Sequence, residues 1–249
     1  MFIFLSCEKT VTLTESRNKT LIISAFPETG QSISDFSIRK FNDNGSFTIP
    51  VNDANPRIIW KNNSFGLIPS ENQDGLYRLA ADNFEFLPGN DYRLELNYKS
   101  EFITGQTSMP NEINEFEIAS SIIQIYNSEG LLNPGTNINW RKEDNTIYSV
   151  SITPLEKEGE NLISFPELSQ NQIDDARNSL DNPFSSSAFT IPAAAFEYYG
   201  DNVIEIIAVD ERFEEFFDLN ENGTTFSNIK NGKGYFIGIS KFSVIVKVE

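Results

Sequence analysis

The chain has 249 residues, 39% of them hydrophobic and 12% aromatic, which is enough for two cores at the usual ~100 to 150 residues per domain. It carries 19 Lys and Arg against 36 Asp and Glu, a net charge of -17, and its cations form no run or basic helix, which excludes nucleic acid as a partner. Histidine is absent and Cys7 is the one cysteine, so Ser-His-Asp and Cys-His catalysis, imidazole-based zinc sites and disulfides are excluded too.

Cys7 follows Phe4-Leu5-Ser6 and precedes Glu8-Lys9. Small or aliphatic residues just ahead of a cysteine form a lipoprotein cleavage site, where lipid joins the thiol and the peptide is cut on its amino side. Only six residues precede Cys7, whereas a secretory signal has a basic region and an apolar run of roughly 7 to 15 residues. The expectation is therefore that residues 1–7 are the remnant of a longer signal, with Cys7 lipidated and the chain anchored in a membrane. The alternative is a free thiol in an apolar amino-terminal strand.

Beyond Cys7, period-two alternation dominates. Thr20 to Ala25, Phe36 to Phe41, Arg57 to Trp60, Gly75 to Leu79, Asp91 to Lys99 and Phe102 to Thr107 read as strands, separated by turn chemistry at Asn44-Gly45, Asp74-Gly75 and Pro88-Gly89. In the fifth of these, Tyr92, Leu94, Leu96 and Tyr98 share one face while Arg93, Glu95, Asn97 and Lys99 share the other. The pattern lapses in the polar stretch Ser108 to Glu115, which places a domain boundary near residue 112.

Strands resume at Ser121 to Tyr126, Thr136 to Arg141, Thr146 to Thr153, Ser187 to Ile191, Asn202 to Asp210, Gly234 to Ser240 and Lys241 to Val248. Two helices interrupt them: Ser169 to Leu180, and Glu211 to Leu219 with Asp210 as its cap and Phe213, Phe216 and Phe217 on one face. The fold expected is all-β, with two antiparallel β-sandwich domains of immunoglobulin or fibronectin type. The first spans 8–112, the second 113–249, and the second holds one or two short helices.

Three tracts carry a resemblance: Cys7-Glu8-Lys9, Ser108-Met109-Pro110, and the run Phe226 to Phe236. Together they resemble a lipoprotein family of Bacteroidota defined only as a domain of unknown function. Gly89-Asn90-Asp91-Tyr92 is similar to a family tract leading into a strand, Thr107 to Pro110 to the linker, and Ser227 to Phe236 to the terminal element. The resemblance implies an exported lipoprotein of the outer membrane, surface display being favoured by Glu8 after the cysteine, and often encoded beside TonB-dependent receptors. It implies no activity and no catalytic residues. Within the terminal element, Asn231-Gly232 and Gly234 suit positive φ and a tight turn before the last strands. A phosphate loop does not fit, because Tyr235 and Phe236 stand where Ser or Thr and a helix would follow the lysine.

Carboxylates are the remaining catalytic chemistry. A glycosidase needs two carboxyl groups about 5 to 9.5 Å apart, and Glu156 with Glu158, Asp174 with Asp175 and Glu211 with Glu214 are candidate pairs, although 36 acids make pairs by chance. Asp218, Asn220 and Asn222, ahead of Gly223, fit the opening of a calcium loop. Its closing glutamate is missing, since Ile229 holds that place, and a helix-ending turn explains the same residues. Calcium is the only cofactor with support. Trp60 and Trp140 are candidates for sugar stacking or for core, and the Ile138 spacing favours core for Trp140.

The function expected is a non-enzymatic, outer-membrane-anchored binding or accessory module. Its partners are the membrane, through the lipid, and a TonB-dependent receptor. A carboxylate-dependent glycan hydrolase and a calcium-stiffened structural or adhesion module are the alternatives.

Overall fold

The computed structural model describes residues 20–32, 36–42, 46–80, 84–217 and 226–249. Cys7 and the calcium-loop residues Asp218, Asn220 and Asn222 lie outside the described residues. Strands take up 48% and helices 10%, so the protein is mostly β, with several sheets and few helices.

The first eight strands are β1 (Leu21–Ala25), β2 (Phe36–Phe41), β3 (Thr48–Pro50), β4 (Arg57–Trp60), β5 (Asn63–Pro69), β6 (Leu76–Leu79), β7 (Asp91–Tyr98) and β8 (Glu101–Ser108). Alternation positions all of them except β3 and β5. The latter was hidden because Gly66 and Pro69 interrupt a short run, although Phe65 and Leu67 keep the period. Residues 63–66 of β5 pair with β4, and residues 67–69 pair with β6, so one strand passes between two halves of the sheet.

The next nine strands are β9 (Glu117–Ile118), β10 (Ile122–Ile123), β11 (Thr136–Asn139), β12 (Thr146–Pro154), β13 (Ala188–Ile191), β14 (Gly200–Asp210), β15 (Ile229–Lys230), β16 (Lys233–Phe236) and β17 (Ile239–Val248). Helix α1 (Gln170–Asp181) starts at Ser169, whose hydroxyl accepts from the Gln172 N–H while Gln172 reaches back to the Ser169 N–H. That reciprocal capping box satisfies two donors the helix leaves open. The second predicted helix begins as a 3-10 turn, Glu211–Phe213, and continues as a single α-turn, Glu214–Phe217. Asp210 caps it as expected, accepting from the Arg212 N–H at 2.9 Å.

Strand pairing does not follow chain order. The first sheet runs β15-β8-β7-β4-β5-β6-β2-β1-β16, with β3 on β2. Its two outermost members, β15 and β16, are consecutive strands joined by a turn at Asn231-Gly232, and both have returned from the far end of the sequence. The sheet therefore curls back on itself around a core that includes Ile229 and Phe236 alongside Leu21, Ile23, Phe36, Tyr77, Tyr92 and Leu94. In that turn Asn231 takes a positive φ (60°), and Gly234 within β16 takes another (99°). Gly232 is needed for space, since a Cβ there would meet Ile229 Cγ2 at 2.8 Å.

A second core lies between the four-stranded sheet β10-β17-β14-β12 and the three-stranded sheet β13-β11-β9. Trp140 sits in it at 4% exposure, beside Tyr148 and Phe184. Leu180 of α1 joins the same core. Three buried tyrosines tie loops to the sheets through their hydroxyls. Tyr77 donates to Val51 O at 2.8 Å and accepts from the Ala54 N–H. Tyr92 accepts from Leu87 and Tyr148 from Glu143. Burial pushes the phenol pKa of all three upward.

Candidate functional site

The two cores meet where β16 continues into β17. Residues 233–236 pair with β1, and the chain then follows Pro27 and Thr29: the Ile237 N–H donates to Ala25 O, Ile239 to Pro27 O, and Thr29 back to Ile239 O at 2.9 Å. One extended ribbon therefore belongs to both halves. A third apolar cluster, Ile147, Val209, Phe213, Ile237 and Ile239, fills the seam, with Ile207, Phe216, Phe226 and Tyr235 packed against it. β14 supplies both sides of its own sheet here. Ile204, Ile206 and Ala208 face the second core, while Ile207 and Val209 face the seam. Phe213 is buried and Phe216 half-buried, so these two residues of the predicted aromatic face belong to this seam.

A cleft of about 460 Å³ opens beside the seam. Phe26, Phe216, Ile207, Val209 and Ile239 form its apolar walls, and Glu28, Gln31, Ser32, Ser149 and Lys241 its polar positions. Phe26 is 38% exposed and packs on Tyr235 at 4.7 Å and edge-on to Phe216 at 5.6 Å. The Lys241 ammonium is held 3.5 Å from Glu205. Walls of aromatic and branched side chains with a few polar groups, at this volume, match the usual form of a ligand site.

A smaller, polar cleft of about 320 Å³ lies across the Arg212 turn. Asp91 and Ser108, paired at the ends of β7 and β8, share a short hydrogen bond donated by the Ser108 hydroxyl. Arg212 Nη2 donates to Ser108 Oγ at 2.6 Å, and its Nε and Nη2 also donate to Asp210 at 2.9 and 2.8 Å. Asp91, Ser108, Arg212 and Asp210 thus form a polar latch across the two halves. Burial raises the Asp210 pKa, but hydrogen bonds from the Arg212 side chain and backbone and the guanidinium charge outweigh it, and the pKa falls below its ordinary 3.8.

A depressed carboxylate stabilises the folded chain above its unfolded pKa, and that contribution fades as pH falls through the lower, folded value. The Arg212 side chain is 63% exposed, so solvent screens the pair and Arg212→Gln is expected to cost only about 1 kcal/mol at neutral pH. Urea unfolding of both proteins across an acid series should show the difference shrinking towards zero as Asp210 protonates. A difference that persists unchanged in acid would mean the latch acts through packing rather than charge.

None of the predicted acid pairs enters either cleft. Glu156 and Glu158 are exposed in the loop after β12, Asp174 and Asp175 are exposed on α1, and Glu211 and Glu214 face solvent on the short helical segment. Among the described residues, no group of three or more Cys, Asp and Glu is placed to hold a metal ion. Trp60 is half-buried rather than free for stacking. Its ring lies parallel to Tyr92 at 6.1 Å, its Nε1 donates to Asn90 at 3.2 Å, and Lys61 Nζ covers it at 4.5 Å. Sequence reasoning did not find the seam. Its walls come from residues 26–32, 149, 207–216 and 239–241, and only the doubly apolar end of β14 hints at them. No family model matches the chain, and no curated protein matches it either.

Proposed function

We propose that the protein is a non-enzymatic binding module, held at the outer membrane by a lipid on Cys7, and that its partner docks at the cleft on the seam. On this reading the two cores are those of two sandwich-like domains of immunoglobulin or fibronectin type. The cleft itself supports the reading most strongly: it is aromatic-walled, bordered by both halves, and free of any candidate acid pair. The resemblance at Cys7, Thr107 to Pro110 and Ser227 to Phe236 favours a TonB-dependent receptor as the partner.

Fractionation of cells expressing Cys7→Ser tests the tether. Two or more acyl chains, at about 0.8 kcal/mol per buried CH2, hold a protein in the bilayer essentially permanently. The wild type is expected in outer-membrane fractions and intact Cys7→Ser in the soluble fraction. Intact Cys7→Ser that stays with the outer membrane would defeat the lipid anchor.

A further inference from the structure

The polar cleft across the Arg212 turn has a charge opposite to that of the chain as a whole. The sequence holds 19 cations to 36 acids, yet of the four charged residues lining this cleft three are cations: Lys61, Arg93 and Arg212, against Asp91. They arrive from the β4–β5 turn, from β7 and from the turn after β14, so folding gathers them from positions far apart in sequence. An acidic surface with one locally positive concavity concentrates small anions there.

Both guanidinium groups are held from behind by carboxylates. Asp210 holds Arg212 through Nε and Nη2, and Glu95, whose side chain is 10% exposed, holds Arg93 through Nη2 at 2.7 Å. Arg57 grips the other oxygen of Glu95 at 2.7 Å, which fixes that support. Nη1 of each arginine has no protein partner among the described residues, and Lys61 forms no ion pair among them. Anchored guanidinium groups with spare N–H donors suit the planar oxygens of an anion, and little ordering is left to be done on binding. Gln106 adds a neutral side-chain amide to the wall.

We propose that this cleft binds the oxyanion group of a small polar ligand, a carboxylate, sulfate or phosphate, with Lys61, Arg93 and Arg212 as its cationic contacts. The site is separate from the seam cleft and does not depend on the membrane tether. The test is calorimetric titration of the full chain with inorganic phosphate, inorganic sulfate, glucuronate and, as the uncharged control, glucose.

Saturable binding of at least one oxyanion is expected, with none for glucose and with affinity falling as NaCl is added. In the Lys61→Asn, Arg93→Gln double variant, affinity should fall at least about tenfold, the loss of one good charged contact. Asparagine tolerates the positive φ of 53° at residue 61, and that position is exposed, so Lys61→Asn alone serves if the double variant melts early. Glucuronate binding more tightly than phosphate or sulfate would assign the oxyanion to a sugar acid, and the reverse order to an inorganic or phosphoryl source. No saturation by any oxyanion up to about 10 mM, a binding free energy weaker than about -3 kcal/mol, would overturn the proposal. Affinity unchanged in the variants would overturn it too.

Discussion

Gly234→Ala is expected to lower stability by about 4 kcal/mol or more, at the upper end of what single substitutions do. Gly234 sits at φ 99° in β16, opposite Ile23 of β1, and a Cβ added there would lie 1.9 Å from the Ile23 carbonyl oxygen. No rotamer relieves that contact, because it involves backbone on both sides. β16 would have to leave β1, and Leu21, Ile23 and Ala25, all 1% exposed or less, would lose their cover. The returning segment links the two ends of the first sheet through its turn and leads into the shared ribbon, so the damage should reach both halves. Urea unfolding of the purified variant measures this, and a loss under about 1 kcal/mol, ordinary for a surface change, would contradict the packing described for β16.

Asn202→Asp is the second large effect. Asn202 is 0% exposed on the core-facing side of β14, and its Nδ2 donates to Tyr198 O at 3.1 Å and Gly200 O at 3.0 Å. An aspartate there places a carboxylate against two carbonyl oxygens at a fully buried position. Loss of about 3 to 5 kcal/mol is expected at neutral pH, the usual size for an unpaired buried charge. The introduced acid escapes part of that by staying protonated, so its folded pKa rises above the unfolded value of about 3.9. A raised acid pKa costs nothing extra below the unfolded value, and the cost grows as pH climbs from there towards the folded pKa. Melting curves from pH 3 to pH 8 should therefore show Asn202→Asp closest to the wild type in acid and furthest from it near neutrality. A gap constant across that range would mean that lost hydrogen bonds, not charge, cause the defect.

Much of the strand layout was legible because the strands obey local rules. β2 and β4 have the predicted limits, and β7, β12, β14 and β17 fall within two residues of theirs, since alternation needs only neighbours. Asp210 announced its helical turn for the same reason: its cap is a contact with Arg212, two residues on. What stayed hidden is non-local. That Ile229 would pair with Gly105, and Gly234 with Ile23, is a fact about tertiary closure that no window around residue 230 contains. The two clefts are hidden likewise, because Arg212 meets Ser108 across 104 residues, and Ser149 and Gln31, further apart in sequence, line one cleft. One signal was present and went unused: Ile207 and Val209 are apolar on the face that should be polar, which marks a strand covered on both sides.

If the proposed reading holds, a partner docks at the seam cleft. Gln31→Trp and Ser149→Trp each add an indole to the lining of that cleft, and Gln31 is exposed, so its replacement leaves the cores alone. The decisive measurement is affinity capture of the tagged wild type and of both variants from gently solubilised outer membranes, with melting temperatures confirming that the variants are folded. A TonB-dependent receptor recovered stoichiometrically with the wild type, and lost with either folded variant, is the predicted result. Equal recovery of the receptor with all three proteins, or recovery of the wild type alone, would contradict it.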